Sequence, residues 1–469
     1  MRGNSCKSLA LEVIQHAGEE QSNRLRRTIA QLEPRTQRTY TPSLAVLERS
    51  AGIYHWTPEG RRLYDFTSGV LVANLGHNPR PWLERFWAYL GWPCSKLPDS
   101  SEEPYFPAVP LTAYNAVTGL EAEASRRLVQ LLQSRPGGRR LEQVLWAASG
   151  SEAVQKALWA ALARDPSRDR IIATRYGFHG KKGLAGATTG CETDRERDPR
   201  VVFISFPMEE CRDLSLRHDE LDLTPYRREL EQLQARFGRH LTALITEPYL
   251  GGGGSFHPPP AYLHLLQDFC HASDIVFILD EVQSNFGRTR QLFAFETYGL
   301  EPDIVILGKG MANGVPGAAA VGRADLLAAL DYGEGSDTYS ANPLTCAGVL
   351  ATLDLFEAWQ PLDNSRRVSA VIEAGLVKLK EEFPFIRFVR GEEGGMVWGI
   401  ECADYRGRTA AEMANASVRV CYLGNGAEGV HLLGPLAKKV IRVAPPLVIT
   451  PEQAESALAV MTESLACLT

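Results

Sequence analysis

Short apolar runs that alternate with helix-like segments constrain the fold of this chain more than any other feature. Between about residues 110 and 330 these runs are almost continuously apolar, which is typical of strands buried on both faces. Helical patterns at 151–164 and 259–273 separate some of them, and the alternation predicts a mostly parallel sheet covered by helices. The candidate strands are VLWAA (144–148), RIIAT (170–174), VVFIS (201–205), LTALITE (241–247), IVFILD (275–280), DIVILG (303–308) and AAAVG (318–322).

The remainder of the 469 residues predicts a smaller companion to this α/β unit. Residues 51–80 alternate apolar and polar side chains around a Pro-Glu-Gly turn, and we expect a hairpin followed by a strand and a glycine-rich turn. After residue 345 the pattern becomes helical and then mixed. We predict an N-terminal arm with part of a small α+β domain at 1–85, a large domain at 86–345 and a C-terminal small domain at 346–469.

Charge and cysteine content narrow the class of protein. The net charge is −6, without the basic excess of a nucleic-acid-binding protein. The nine cysteines are odd in number and form no CxxC pair, which argues against a disulfide framework or a zinc site and favours a reducing cytoplasm. No apolar run approaches the roughly 20 residues that span a membrane, and the first residues lack a signal-peptide core. We expect a soluble cytoplasmic protein that binds neither nucleic acid nor membrane.

Two neighbouring candidate strands end in groups of opposite charge. Asp280 ends the strand at 275–280, and Lys309 lies between Gly308 and Gly310, just after the strand at 303–308. Ligands bind at the carboxyl ends of the strands in an open parallel sheet, so these tips predict a site with one carboxylate and one amine. From this pair alone, a salt bridge that closes the sheet edge is an equally good interpretation.

A third element lies at ASGSEAVQKAL (148–158), which opens a helix. Ser149 and Glu152 have the spacing of a capping box, while Gly150 and Ser151 fall in the first turn, where free N–H groups and the helix dipole attract an anion. Taken alone, an ordinary helix start is the better interpretation. The anion site, the carboxylate and the lysine together match the needs of pyridoxal phosphate (PLP): a phosphate site, a partner for the pyridinium nitrogen and a Schiff-base amine.

These motifs resemble the class III, fold-type I PLP-dependent aminotransferases, a family that includes ornithine, 4-aminobutyrate and other ω-amino-acid aminotransferases. The resemblance is strongest over LDEVQSNFGRTRQLFAFETYGLEPDIVILGKGMANGVPGAAAVG (279–322), and it continues through SGSEA, YGFHGKKG, ITEP, DTYSANPLTCAGVLATL and IRVAPPLVIT. It implies a PLP-binding large domain at 86–345. It also implies a ping-pong reaction that moves an amino group from an amino acid or amine to a keto acid.

The resemblance implies catalytic roles for Lys309, as the Schiff-base lysine that moves the proton, and for Asp280, as the partner of the pyridine nitrogen. Arg442 would bind the substrate carboxylate with its planar fork. Thr338 would reach the phosphate bound in a partner subunit, which implies a homodimer with its sites at the interface. The other residues that would contact the cofactor are Gly150 and Ser151 at the phosphate, Phe178 on the ring face, Gln283 at the ring hydroxyl and Glu247 nearby.

Some positions depart from the family or remain open. A subset of the family carries a glutamate that masks the carboxylate-binding arginine, and here Gly252 occupies that position, which weakens an ornithine-type or 4-aminobutyrate-type assignment. Lys181 takes a position where several members use a basic residue near a second carboxylate. We expect His179 to be a satisfied polar residue rather than a catalytic base, and Arg288 and Arg290 to be structural or solvated.

Two alternatives to transamination remain at this stage. Racemases, epimerases, aminomutases and a decarboxylating aminotransferase share the same scaffold, and the sequence does not show which substrate bond stands perpendicular to the ring. A non-catalytic binding module is the alternative from another class. The presence of Lys309, Asp280 and Gln283 argues against it.

Overall fold

The computed structural model describes residues 14–32, 40–92, 108–112, 116–194 and 197–469. Its centre is a seven-stranded sheet with the order β4-β10-β9-β8-β7-β5-β6. The strands from β5 to β9 run parallel, and β10 runs antiparallel to both of its neighbours. The bounds are β4 Gln143–Ala147, β5 Arg170–Thr174, β6 Val201–Ile204, β7 Leu241–Thr246, β8 Val276–Asp280, β9 Ile304–Leu307 and β10 Ala318–Gly322.

Each of the seven strands predicted from apolar runs lies in this sheet, with ends shifted by no more than about one residue. The reason is burial on both faces. Along β8, Phe277 and Leu279 belong to one hydrophobic cluster, whereas Val276 and Ile278 belong to another on the opposite face. A strand covered on both sides must be apolar at every position, and this makes it visible in the sequence.

Helices cover both faces of the sheet. One face packs against α4, α8 and α11, and the other packs against α5. The helices of the described residues are α1 Glu20–Leu32, α2 Ser68–Leu71, α3 Arg80–Leu90, α4 Gly119–Gln133, α5 Gly150–Ala163, α6 Gly183–Ala187, α7 Thr224–Phe237, α8 Pro260–Ala272, α9 Ala294–Tyr298, α10 Ala324–Leu327, α11 Pro343–Trp359, α12 Pro361–Glu382, α13 Ala410–Leu423 and α14 Pro451–Ala466.

Two smaller sheets join the two ends of the chain. A four-stranded sheet has the order β1-β2-β3-β13, and a three-stranded antiparallel sheet has the order β11-β12-β14. They share one hydrophobic cluster with residues from α12, α13 and α14. Their bounds are β1 Arg49–Ala51, β2 Tyr54–Trp56, β3 Arg62–Asp65, β11 Ile386–Gly391, β12 Trp398–Cys402, β13 Glu428–His431 and β14 Val440–Val443.

The predicted hairpin is formed by β2 and β3, but the segment after it is not a strand. Residues 68–71 turn sharply instead, and Ser68, Val70 and Leu71 have positive φ angles of 49°, 68° and 61°. The Ser68 hydroxyl donates to the carbonyl of Ala444 at 2.7 Å, which ties this turn to the C-terminal part. The domain limits at 85 and 345 stay a prediction, and part of the predicted N-terminal arm (1–13) lies outside the described residues.

Within the described residues, none of the helices combines the length and the apolar character needed to cross a membrane.

Candidate active site

A cavity of about 680 Å³ opens at the carboxyl ends of the parallel strands. Asp280 is the last residue of β8, and Lys309 begins a short 3₁₀ helix, 309–312, directly after β9. Both line the cavity, as expected for adjacent parallel strands whose carboxyl ends meet at one edge of the sheet. The other predicted residues that line it are Gly150, Ser151, Phe178, Glu247 and Gln283.

The N-terminus of α5 forms one wall of the cavity. Ser149 is the N-cap, and its hydroxyl accepts from the backbone N–H of Glu152 at 3.3 Å. The Glu152 carboxylate bonds to the N–H of Ala148 at 3.1 Å, so the predicted capping box forms only in part. The N–H groups of Gly150 and Ser151 lie in the first turn, where a helix offers no acceptor. They are therefore available for an anion.

Close packing around this turn explains two glycines. A Cβ atom at Gly150 would lie 3.2 Å from both Cγ atoms of Val282, and one at Gly180 would lie 2.3 Å from the Ser151 hydroxyl. Gly180 also has a φ of 138°, which side chains rarely adopt. A side chain at either position would collide with a residue of the cavity wall, so these glycines allow the wall to pack closely.

Asp280 is buried, with 4% of its surface exposed, and it is held from two sides. Its Oδ2 lies 2.7 Å from His179 Nδ1, and its Oδ1 accepts from the N–H of Val282 at 3.1 Å. His179 is equally buried, and its Nε2 has no hydrogen-bond partner in the described part of the chain. The imidazole therefore orients the carboxylate and supplies a partner for a buried negative charge.

Lys309 provides an amine whose proton is easily lost. Burial and, after it, the positive charge of Arg442 lower the pKa of its amine to about 8, against the opposing effect of Asp280 and Glu247. Its backbone has a φ of 46°, in the left-handed region, at the start of the turn that follows β9. A lysine with a lowered pKa in a closed site is the usual form of an amine nucleophile.

Glu247 directly follows the last residue of β7, and 3% of its surface is exposed. The pKa of its carboxyl is raised to about 7, mainly by burial. Asp280 adds to this rise, and His179 opposes it. Its Oε2 accepts from the N–H of Phe178 at 2.9 Å, and its Oε1 accepts from the Gln283 amide at 3.3 Å. Glu247 thus connects the loop that carries Phe178 to the strand tip that carries Gln283.

Arg442 reaches the site through Gln283. Its Nη1 donates to Gln283 Oε1 at 2.8 Å, and the arginine is 4% exposed on β14, in the three-stranded sheet. Among the described residues, no carboxylate lies within 4 Å of this guanidinium, so it is a buried cation with a neutral partner. Burial lowers its pKa, although Tyr249 and Glu247 oppose this.

The remaining predicted residues lie at the margins. Phe178 lines the cavity with 39% of its surface exposed, and Gly252, at the gate position, approaches it so closely that a Cβ would lie 3.0 Å from Phe178 Cβ. Thr338 is exposed on the turn after α10 and does not line this cavity within the chain. Lys181 does line it. Arg288 is fully buried and donates to the carbonyl of Pro445 at 2.6 Å, which makes it structural.

Sequence reasoning missed the contact between His179 and Asp280. The two residues are 101 positions apart, and the local pattern around His179 contains no signal for its partner. It also missed the link from Gln283 to Arg442, which spans 159 positions. Only the His-Gly pair after Phe178 suggests that this turn approaches a ligand.

PLP fits the groups that the cavity provides. First-turn N–H groups suit its phosphate, a buried carboxylate suits its pyridinium nitrogen, and an amine with a lowered pKa suits its aldehyde. Within the described residues the Nε2 of His179 has no hydrogen-bond partner, which fits a polar ligand in this cavity. The fold and the cavity together define a fold-type I PLP-dependent enzyme.

Comparison with known proteins gives the family. The family model described as aminotransferase class-III matches residues 110–465. Acetylornithine aminotransferase from Agrobacterium fabrum is 30% identical over 428 residues, which cover 90% of this chain and 94% of that protein. The chain belongs to the class-III aminotransferases, and it is a PLP-dependent aminotransferase. The predicted resemblance, activity and cofactor are confirmed.

Solved structures agree on the fold. An amine transaminase from an uncultivated Pseudomonas species, in its PLP-bound form, matches with a TM-score of 0.75 and 25% identity, covering 93% of this chain and 96% of that one. Ornithine aminotransferase from Toxoplasma gondii matches with a TM-score of 0.77 and 23% identity over 95% of each chain. The predicted α/β fold with a smaller α+β part is therefore confirmed.

Proposed function

We propose that this aminotransferase takes an amino acid as donor and a 2-oxo acid as acceptor, and that Arg442 binds the carboxylate of each. The observation that carries the proposal is the state of Arg442: its guanidinium is buried, charged and, among the described residues, bonded only to the neutral amide of Gln283. A buried guanidinium without a carboxylate partner costs free energy, which a substrate carboxylate would recover through a bidentate pair. Ornithine and acetylornithine, named for relatives, are the first donors to test.

We assign the Schiff-base and proton-transfer roles to Lys309. With a pKa of about 8, roughly a tenth of the amine is neutral at pH 7, enough to react with an aldehyde. PLP, when bound, supplies the electron sink that makes the proton next to the amino group acidic. The amine of Lys309 then takes this proton from one carbon and returns it to another.

We assign to Asp280 the task of holding the cofactor's pyridine nitrogen in its protonated form. Hydrogen bonds from His179 to Oδ2 and from the N–H of Val282 to Oδ1 fix the orientation of this carboxylate. Glu247 has a carboxyl pKa of about 7, and its Oε1 accepts a hydrogen bond from the side-chain amide of Gln283. In this assignment Glu247 is a positioning residue.

We also propose a homodimer in which Thr338 serves the partner's site. Thr338 lies on an exposed turn whose neighbours Tyr332 and Tyr339 are fully exposed and 65% exposed. Large exposed aromatic residues are enriched at protein interfaces. Lys156 Nζ on α5 donates to Asp337 Oδ2 at 2.7 Å. This bond fixes the turn to the helix whose N-terminus would hold the phosphate.

The first experiment tests Lys309 and the donor class. Purified wild-type protein, Lys309→Ala and the exposed control Lys378→Ala are reconstituted with PLP, and visible absorbance and transamination with 2-oxoglutarate or pyruvate are recorded. We expect Lys309→Ala to lose both the visible band and turnover, with its circular dichroism unchanged, and Lys378→Ala to match wild type. Turnover of simple amines in preference to every amino acid would contradict the proposed donor.

The second experiment tests the shared site by mixing subunits. Lys309→Ala and Thr338→Ala chains, each expected to have little activity alone, are unfolded and refolded together. If Thr338 serves the partner, a mixed dimer contains one intact site, so random pairing restores about a quarter of the wild-type sites. Activity that equals the mean of the two separate variants would refute the shared site.

A cytoplasmic location stays our proposal. It is supported by the free state of the seven cysteines within the described residues, which include the exposed Cys467.

A further inference from the structure

Three imidazoles surround the buried carboxylate of Asp65 in the four-stranded sheet, apart from the PLP site. Backbone pairing brings them together. His55 on β2 lies diagonally across from Asp65 on β3, and His431 on β13 is the direct cross-strand neighbour of Asp65. His77 exchanges two backbone hydrogen bonds with Gly52, at 2.8 and 2.9 Å, which places its ring at the same end of the sheet.

The ring nitrogens converge on one carboxylate oxygen. Asp65 Oδ2 lies 2.7 Å from His77 Nε2 and 3.5 Å from His55 Nε2, and these three atoms lie within 4.8 Å of one another. The side chains of Asp65 and His55 are 0% and 3% exposed, whereas that of His77 is 18% exposed. The three side chains therefore form a buried group of possible metal ligands, and His77 connects this group to solvent.

Two of these donor atoms, His77 Nε2 and Asp65 Oδ2, share a hydrogen bond of 2.7 Å that an ion would replace, and the other hydrogen bonds of the cluster use different atoms. Asp65 Oδ1 already accepts from the N–H and hydroxyl of Thr67, at 2.8 and 2.7 Å, and from the N–H of Ser68 at 3.1 Å. His55 Nδ1 is engaged with the Ser50 hydroxyl at 2.7 Å. His55 Nε2, buried and aimed at Oδ2, has no hydrogen-bond partner among the described residues.

We propose that His55, His77 and Asp65 bind a divalent zinc ion. Two histidines and a carboxylate form a ligand set that Zn²⁺ prefers, and atoms about 2.0–2.1 Å from a tetrahedral ion lie roughly 3.3 Å apart. Two of the observed separations, 2.7 and 3.5 Å, bracket that value, and the two histidine nitrogens lie within 4.8 Å of each other. His431 Nδ1 lies 4.0 Å from the other carboxylate oxygen, Asp65 Oδ1, and is not one of the three converging atoms, so a water molecule would take the fourth position.

The outer contacts match those of known metal sites. A ligating histidine usually bonds through its second ring nitrogen to an oxygen that fixes its orientation, as Ser50 does for His55. A ligating carboxylate in turn accepts hydrogen bonds, as Asp65 does from the N–H groups of Thr67 and Ser68. The ion would hold the hairpin β2-β3 to the segment around His77 and would therefore stabilise the sheet without contacting PLP.

This proposal departs from the prediction of no zinc site. That prediction rested on cysteine spacing, which reveals sites whose ligands are close in sequence. Here the ligands are spread over positions 55, 65 and 77, and no spacing motif joins them. A cluster that holds only shared protons is the competing interpretation, and the experiment separates the two.

The test is a metal titration of tag-free holoenzyme. Protein treated with a chelator is titrated with Zn²⁺ against a competing dye, and a parallel sample receives Co²⁺ for its visible spectrum. The variants are His55→Gln and His77→Gln, with the exposed His240→Gln as a matched control. We expect about one zinc ion per chain with a dissociation constant below about 1 µM in wild type and control, and binding weakened about 100-fold in both ligand variants.

Several outcomes would overturn the proposal. Binding well below one equivalent in wild type would show that the cluster holds protons only. Equal affinity in His55→Gln and wild type would place the ion elsewhere, and a thiolate-to-cobalt charge-transfer band would assign it to a cysteine. Transamination and the visible PLP band serve as folding checks, and we expect both to persist in the variants. If one variant fails to fold, the wild-type stoichiometry and the other variant still decide.

Discussion

Replacement of Arg442 by methionine tests the substrate site most directly. The guanidinium is buried and holds Gln283 Oε1 at 2.8 Å. Methionine fills most of the same volume but offers no charge and no donor, so a substrate carboxylate would enter an apolar pocket unpaired. The change removes one interaction with the substrate while leaving Lys309 and Asp280 in place.

The magnitude follows from the bonds that are lost. Each hydrogen bond between charged groups contributes about 1.5–3 kcal/mol, and a bidentate pair has two, so a net loss of ~3 kcal/mol is a conservative value. At 1.36 kcal/mol for each factor of ten, kcat/KM for an amino acid donor should fall about 150-fold. A donor without a carboxylate loses none of these bonds, and its kcat/KM should change by less than about threefold.

A second readout comes from Lys309. The pKa of this amine is lowered to about 8, and the positive charge of Arg442 is the second largest cause of this, after burial. Without that charge the pKa should rise. The neutral amine is the form that reacts with the aldehyde, so the pH midpoint for reconstitution of the cofactor-free enzyme with PLP should move upward in Arg442→Met.

The assay compares wild type, Arg442→Met, Arg442→Lys and the exposed control Arg228→Met. Steady-state rates are measured with one amino acid donor and one simple primary amine, and reconstitution is followed by visible absorbance across pH. Arg442→Lys should be intermediate because it keeps the charge but loses the planar fork. Equal losses for the two donors, or an unchanged reconstitution midpoint in Arg442→Met, would refute the reasoning.

Three further predictions concern the surroundings of the site. His179→Gln should lower kcat about tenfold in steady-state assays, because Asp280 loses one charge-assisted hydrogen bond of about 1.5 kcal/mol; an unchanged kcat would mean that His179 is only a packing residue. Gly252→Ala should weaken PLP binding about fivefold in an absorbance titration, because its Cβ would lie 3.0 Å from the Cβ of Phe178 and strain of about 1 kcal/mol is expected; tighter binding would contradict this. Burial raises the pKa of the Glu281 carboxyl from 4.5 to about 8, so its stabilising contribution is complete below pH 4.5 and is lost as the pH rises through about 8. Urea unfolding across this range should show a steeper loss of unfolding free energy in wild type than in Glu281→Gln, and parallel curves would exclude the assignment.

The sequence predicted the central sheet well because of burial. Seven apolar runs correspond to seven strands, and this works because strands covered on both faces have little freedom in composition. It also predicted that Asp280 and Lys309 meet, since parallel strands place their carboxyl ends at one edge. The prediction of a strand after the hairpin was wrong at residues 68–71. These residues form a left-handed turn, and the sequence does not reveal it because Val70 and Leu71 are not typical of such turns.

The sequence by itself determined the strands, the start of α5 that we propose as the phosphate site, and the two strand tips with Asp280 and Lys309, because these features depend on neighbours within a few residues. Only the tertiary structure decided that His179 holds Asp280 and that Gln283 holds Arg442. It also decided that three imidazoles meet at Asp65. These contacts join residues up to 366 positions apart. They arise from the packing of whole sheets against one another, and local propensity carries no record of that packing.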